Sequence, residues 1–245
     1  MRRLTSEGWR GGITWAAGIL CLAAGAFGQF CLARHRPVAA PMLAESAFAA
    51  FGGLRSIATE VVWFRADRLQ EEGRYVELAQ LASTLTALEP HTPEVWSYAS
   101  WNLAYNISIM MTSAEDRWRW VEAALRLLRD EGLRLNPGSP ELCREIAWLF
   151  QLKIGGRLDS AAPHYRQRWR EKVEDVARRG AWEELGMDPA RMTALEGRYG
   201  EFDWADPMAS AIYFADLGLA TAKGEARAFL REILRQALVI YAKGK

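Results

Sequence analysis

The side chains that most often carry catalysis or bind metals are scarce in this chain. Its 245 residues include 3 Cys and 3 His, and Cys143 is the only cysteine after residue 31. His35, His91 and His164 lie far apart, and the common nucleotide, serine-nucleophile, zinc-protease and calcium-loop motifs are missing. We therefore predict that the protein is not an enzyme, holds no metal or cofactor, and keeps Cys143 as a small buried apolar residue.

One acidic loop keeps an enzymatic alternative open. Asp203 and Asp206 are three residues apart, and His164 and Tyr199 are the nearest candidates to act with them. Carboxylates brought together with such groups can transfer protons or hold a cation. The alternative prediction is an exported or anchored helical enzyme with a site in residues 157–210. The structural interpretation is that Asp206 caps the next helix.

Charge excludes one broad class of partner. Lys plus Arg is 31 and Asp plus Glu is 30, which gives a net charge of +1. The stretch from Arg2 to Arg36 contains five arginines and one glutamate, so the rest of the chain is mildly acidic. A nucleic-acid surface needs a basic patch, and we predict no nucleic-acid partner and no small-molecule substrate.

The first clear element is an apolar segment. Residues 13–33 contain no charged side chain, and arginines lie on both sides of them. As a helix they would extend about 31 Å, close to the hydrocarbon thickness of a bilayer. We predict a transmembrane helix over 13–33 that contacts lipid. A cleaved signal peptide, with residues 24–26 as its processing site, and a buried core helix are the alternatives.

The arginine distribution gives an orientation. Arg2, Arg3 and Arg10 precede the apolar segment, whereas Arg34 and Arg36 follow it. The positive-inside rule then favours a cytoplasmic tail over residues 1–12 and an extracytoplasmic, periplasmic position for the remainder. The predicted protein is therefore a single-pass membrane protein of the bacterial envelope.

The rest of the sequence has helical periodicity and helix stops. Apolar residues recur at three- and four-residue spacing, as in residues 75–89, and proline or glycine separates successive elements. Strand alternation is missing from the sequence. We predict an all-α fold of antiparallel helical hairpins, because helices of this length joined by short turns pack against their neighbours.

The segment around the second helix resembles a tetratricopeptide repeat (TPR). Gly73 and Tyr75 stand at the hairpin turn, Pro90 closes the second helix, and Trp96 opens the next repeat. The small residue that lets the paired helices approach is Ala66 in this register. The resemblance implies a right-handed solenoid in which neighbouring hairpins stack and bury the apolar faces that no single hairpin can bury alone.

The resemblance continues with a longer second repeat. Ser100 and Ala147 are the next small residues, and Pro137 is the next closing proline. Pro90 and Pro137 are 47 residues apart, which exceeds the ~34-residue period of the family. We expect the extra length within residues 107–120. The prediction is TPR-like repeats over 34–156, with helical hairpins over 157–245 that continue the stack.

The repeat register predicts a protein-binding surface. In the TPR family the first helix of each repeat lines the concave groove, and Trp101 and Trp148 fall at the same position of successive first helices. Aromatic side chains supply contact area there, and amides or arginine supply hydrogen bonds. The predicted partner-binding residues are Tyr98, Trp101, Asn102, Tyr105, Asn106, Arg144, Trp148 and Gln151. The alternative is that these aromatic side chains belong to the core between helices.

Together these features predict a non-catalytic, membrane-anchored TPR-like scaffold. It would bind a partner protein and help to assemble or position an envelope complex for secretion or transport. A second alternative, beside the enzyme described above, is an accessory subunit of a membrane transporter.

Overall fold

The computed structural model describes residues 59–157 and 159–244, and every regular element in these ranges is a helix. The predicted tail (1–12), transmembrane helix (13–33) and first part of the repeats (34–58) lie outside the described residues. Within those that are described, no helix is both long enough and apolar enough to cross a bilayer.

Local sequence signals account for where the helices begin. Proline occupies the first helical position in four of them, where its missing N–H has no helical partner in any case. The Ser113 hydroxyl accepts a hydrogen bond from the backbone N–H of Asp116 at 3.0 Å, and the Asp206 carboxylate accepts one from Met208 at 2.8 Å. These caps satisfy N–H groups that a helix start leaves free.

Nine helices are numbered in chain order over the described residues. They are α1 (residues 59–71), α2 (Tyr75–Leu88), α3 (Pro93–Trp101, continued by Asn102–Ile107 and Ser108–Met110), α4 (Ala114–Arg126, continued by Leu127–Gly132 and Leu133–Leu135), α5 (Pro140–Trp148, continued by Leu149–Ile154), α6 (Ala162–Arg179), α7 (Pro189–Tyr199), α8 (Pro207–Leu219) and α9 (Gly224–Gly244). A short 3₁₀ turn, Trp182–Leu185, lies between α6 and α7.

Three of these helices contain a π-helical segment, which the sequence did not predict. The segments are Asn102–Ile107 in α3, Leu127–Gly132 in α4 and Leu149–Ile154 in α5. In both α3 and α5, nine α-helical residues precede six π-helical ones. Trp101 and Trp148 are therefore each the last residue before the π segment. Most residues between Pro90 and Pro137 belong to α3 and α4, and only residues 111–113 connect these two helices.

Helix α5 packs most extensively on α8, and it also contacts α3, α4, α6 and α9. A Cβ on Gly155 would lie 3.4 Å from the Pro207 Cβ, and one on Gly218 would lie 2.8 Å from the Cys143 Cβ. The end of α5 therefore meets the start of α8, which makes these two helices antiparallel. The next helix along the chain, α6, does not form the hairpin with α5.

Two other neighbours of α5, α3 and α9, run parallel to it. Trp148 packs on Phe229 of α9, and Gln151 bonds Gln236 further along the same helix. The start of α3 contacts the start of α5, and Tyr105 late in α3 meets Lys153 late in α5. Helices α3, α5 and α9 thus form one parallel layer.

Between α5 and α8 the chain forms α6, a short 3₁₀ turn and α7. Helix α6 lies along α4, where Tyr165 packs near Trp118 and Lys172 pairs with Glu122. Two adjacent glycines allow the chain to leave α5 sharply, because a Cβ on Gly156 would lie 1.9 Å from the Leu152 carbonyl oxygen. Helices α8 and α9 follow one another in the chain, and their contacts are extensive.

The core lies between the helix layers. Its largest fully buried side chains include Phe150, Trp169 and Phe214, and the ring centroids of Phe150 and Trp169 are 4.7 Å apart. The small residues of the repeat register, Ala66, Ser100 and Ala147, are buried, as close helix packing requires.

Candidate partner-binding face

Helix α3 presents a stripe of exposed side chains on its one free side. Glu94, Trp101 and Ile109 are exposed, and Tyr105 is half-buried between them. Residues seven apart lie on the same side of a helix, so Glu94 and Trp101 share this stripe. The rings of Trp101 and Tyr105 stack with centroids 6.1 Å apart, which holds Trp101 in place although 42% of it is exposed.

Helix α5 repeats the arrangement beside it. Glu141, Arg144, Glu145 and Trp148 are partly exposed, and Leu152 is exposed at the end of the stripe. The Arg144 guanidinium pairs with the Glu145 carboxylate at 2.8 Å. The only cation on this stripe is therefore already neutralised by its neighbour in the chain.

Helix α9 completes the surface on the far side of α5. The Phe229 ring meets the Trp148 ring edge to face, with centroids 5.2 Å apart. The Arg144 guanidinium carbon lies 5.7 Å from the centroid of Phe229. Phe229 packs against α5 at the rim of the surface, and 42% of it remains exposed.

Tyr105 connects the α3 stripe to α5. The Lys153 ammonium lies 5.2 Å from the centroid of the Tyr105 ring, within cation–π range. Burial raises the pKa of the Tyr105 hydroxyl, and the negative charge of Glu145 raises it further. We call the surface formed by Trp101, Tyr105, Trp148, Leu152 and Phe229 the aromatic face.

A buried ion pair lies beneath the aromatic face, next to the Tyr105 ring. The Lys153 ammonium contacts the Asp159 carboxylate at 2.6 Å, and both side chains are at least nine-tenths buried. Asp159 also accepts hydrogen bonds from the Ala161 N–H and the Tyr165 hydroxyl. Burial opposes the ionised carboxylate, but the bonds from Lys153 and Ala161 outweigh it and lower the pKa of Asp159.

Four of the eight predicted partner-binding residues reach this surface, namely Trp101, Tyr105, Arg144 and Trp148. Tyr98 and Asn106 are half-buried, and both are engaged within the protein. The Tyr98 hydroxyl donates to Gln70 at 2.9 Å, and the Asn106 amide donates to Asn102 at 3.0 Å.

The other two predicted residues require a correction. Asn102 is fully buried, and its amide donates to the Tyr75 carbonyl oxygen at 3.2 Å, which ties α3 to the start of α2. Gln151 is buried against α9, where its amide donates to Gln236 at 3.1 Å. Neither side chain is available for direct contact with a partner, because helix packing already uses it.

The residues of the enzymatic alternative have separate roles. Asp203 pairs with Arg170 at 3.0 Å, Asp206 caps α8, and the His164 imidazole contacts Glu115 at 3.0 Å. Tyr199 is exposed beside Arg198. Among the described residues, no hydrogen bond or ion pair joins any two of the four side chains Asp203, Asp206, His164 and Tyr199.

Two further observations concern chemistry at the described residues. Cys143 is fully buried, and burial raises the pKa of its thiol to about 12, which disfavours the reactive thiolate. No group of three or more His, Cys, Asp or Glu side chains in the described ranges is arranged to hold a metal ion.

Sequence reasoning missed Leu152 and Phe229 as members of the aromatic face. Leu152 stands where Tyr105 stands in α3, since each follows the helix tryptophan by four residues. That equivalence was a usable signal. No comparable signal marked Phe229, because nothing in the sequence indicates that α9 packs against α5. No protein-family model, no curated protein and no solved structure matches this chain.

Proposed function

We propose that this protein is a non-catalytic, membrane-anchored scaffold with a TPR-like helical stack that binds a partner protein through the aromatic face. The observation that carries the proposal is the repetition between α3 and α5. Both helices begin with Pro-Glu, and both bring a tryptophan to the surface at the last residue before a π segment. A repeated exposed aromatic position is typical of a surface used for contact.

The packing supports a TPR-like stack. Helices α3, α5 and α9 are parallel, α8 is antiparallel to α5, and the small register residues are buried. We infer a right-handed arrangement of the hairpins α1–α2, α3–α4 and α5–α8 that α9 ends. In this scheme α6 and α7 are an insertion within the third hairpin.

The membrane part of the proposal comes from the sequence. Residues 13–33 have the length and the flanking arginines of one transmembrane helix, with the helical domain on the extracytoplasmic, periplasmic side. A tethered binding domain suits the assembly or positioning of an envelope complex. A role as accessory subunit of a transporter would use the same face. The enzymatic alternative has less support, because its four side chains have separate partners.

The test is partner retention by the full-length protein. We expect that purification in mild detergent co-isolates a specific protein, and that replacing Trp101 and Trp148 by alanine abolishes this without loss of helicity. The matched control replaces Trp120 and Trp182, two half-buried tryptophans outside the aromatic face. The control should retain the partner, and unchanged partner binding by the Trp101→Ala/Trp148→Ala protein would remove the assignment of the face.

A further inference from the structure

The three parallel helices of the aromatic face begin with a row of glutamates. Glu94, Glu141 and Glu225 are each the second residue of their helix, in α3, α5 and α9 respectively. Glu94 and Glu225 are exposed, and Glu141 is partly exposed and accepts a hydrogen bond from the Ser139 hydroxyl at 3.0 Å. Among the described residues, none of the three forms an ion pair. We call these three residues the acidic row.

The acidic row lies on the same side of its helices as the aromatic face. Glu94 precedes Trp101 by seven residues and Glu141 precedes Trp148 by seven, which is about two helical turns. Glu225 precedes Phe229 by four residues, about one turn. The carboxylates therefore lie roughly 6–10 Å along the helix axes from the aromatic rings.

The helix dipole also stabilises a glutamate in the first turn, which accounts for one such residue in each helix. The dipole does not explain why the surface around these glutamates carries few unpaired cations. Glu145 adds a further carboxylate, and the cation of the α5 stripe, Arg144, is already paired with it. The side chains named here near the helix starts are therefore mostly carboxylates, whereas Ile109, Leu152 and Ile240 are exposed apolar side chains near the ends of the same three helices.

We propose that the partner segment is both apolar and basic. This inference rests on the proposed function, and it names the chemistry of the partner. Apolar or aromatic side chains of a protein segment contact Trp101, Trp148 and Phe229, while Lys or Arg side chains displaced to one side contact the acidic row. Complementary charge of this kind aligns a segment and selects against acidic competitors. An anionic lipid surface would be repelled by the same row.

The test titrates synthetic peptides into the full-length protein and measures binding by fluorescence anisotropy. One 14-residue peptide combines leucine and phenylalanine with lysine, a second has glutamate in place of every lysine, and a third has serine in place of every apolar residue. We expect the first to bind at least tenfold more tightly than the other two. Raising the salt concentration should reduce its advantage over the glutamate peptide, because salt screens exposed charges.

The contribution of the acidic row is tested by removing its three negative charges. The triple variant Glu94→Gln/Glu141→Gln/Glu225→Gln should weaken binding of the lysine peptide by about tenfold, since each exposed ion pair contributes a small factor. The control, Glu131→Gln/Glu174→Gln/Glu183→Gln, removes three exposed glutamates on α4, on α6 and in the 3₁₀ turn. It should leave the affinity unchanged, and circular dichroism checks that both variants are folded.

The outcomes separate the two proposals. If the glutamate peptide binds as tightly as the lysine peptide, and binding needs Trp101 and Trp148, the basic partner is refuted while the binding face stands. If no peptide binding depends on these tryptophans, both proposals fall. If the face instead binds vesicles of anionic phospholipid, and Trp101→Ala/Trp148→Ala abolishes that binding, a lipid surface replaces the protein segment.

Discussion

Replacing Asp159 by asparagine should destabilise the protein strongly, because the substitution leaves the Lys153 ammonium without its anion. The two side chains are 4% and 9% exposed, and the distance between the ammonium and the carboxylate is 2.6 Å. Asparagine keeps the shape and one acceptor oxygen, so packing changes little and the lost quantity is the negative charge. A buried pair broken from one side costs about 3–5 kcal/mol.

Two features of the site change the expected loss of stability, one reducing it and the other increasing it. Lys153 retains its cation–π contacts, at 5.2 Å from the Tyr105 ring and 6.0 Å from the Tyr165 ring. Arg117 also lies 3.6 Å from Asp159, so the substitution leaves a second cation less compensated. We expect a loss of about 3 kcal/mol in the free energy of unfolding, a sizeable part of the ~5–15 kcal/mol that stabilises a typical domain.

The assay is urea unfolding of the full-length protein followed by near-ultraviolet circular dichroism. A loss of about 3 kcal/mol should lower the urea midpoint by roughly 1 M or more. The control is Asp159→Asn/Lys153→Met, in which both charges are removed, and it should recover most of the stability. A single variant within ~0.5 kcal/mol of the wild type, or a double variant no better than the single, would refute the reasoning.

Acid should reduce the difference between the two proteins. The pKa of Asp159 is held below its ordinary value of 3.8, against the effect of burial, by the bonds from Lys153 and Ala161. A carboxylate with a lowered pKa stabilises the fold above its ordinary value, and this contribution disappears as the pH falls through the folded pKa. The stability gap between wild type and Asp159→Asn should therefore narrow below about pH 4, measured as urea midpoints.

Three other predictions follow from helix packing. In urea unfolding, Gly218→Ala should destabilise the protein by about 1–3 kcal/mol, because its Cβ would lie 2.8 Å from the Cys143 Cβ. In the same assay Gly197→Ala, whose Cβ would have nothing within 4 Å, should stabilise the protein by about 0.5–1 kcal/mol. Asp216→Asn removes the partner of two arginines of α7 and should speed hydrogen exchange in residues 189–199 without changing α2; equal exchange would contradict it. The Cys143 thiol should resist iodoacetamide between pH 7 and 9, seen by mass spectrometry of its peptide, because burial raises its pKa to about 12; rapid labelling of folded protein would contradict this.

Helix positions were predictable because their signals are local. Proline at a first helical position and a capping side chain before it fix a start within one or two residues, as at Pro140 after Ser139. At the start of α4, Ser113 and Asp116 make the capping bond, since a serine directly before the helix and an acidic residue three positions later have the spacing of a capping box.

The π segments and the long-range packing were not predictable from such signals. A π segment adds about one residue to a turn, and nothing in the residues 102–107 or 149–154 distinguishes them from ordinary helix by type. Helix α5 packs antiparallel to α8, although α6 follows α5 in the chain. Hydrophobic periodicity shows that a helix has a buried side, but it does not identify the helix against which that side packs.

For the aromatic face too, sequence spacing indicates which residues are equivalent, but it does not indicate which of them are buried by other helices. Trp101 and Trp148 lie at equivalent positions of two equally segmented helices, whereas the burial of Asn102 and Gln151 depends on α2 and α9. A polar residue beside a surface tryptophan was taken for a binding group, yet both amides hydrogen-bond to neighbouring helices. Such bonds fix the spacing between helices, and so they set the separation of the aromatic side chains that a partner would meet.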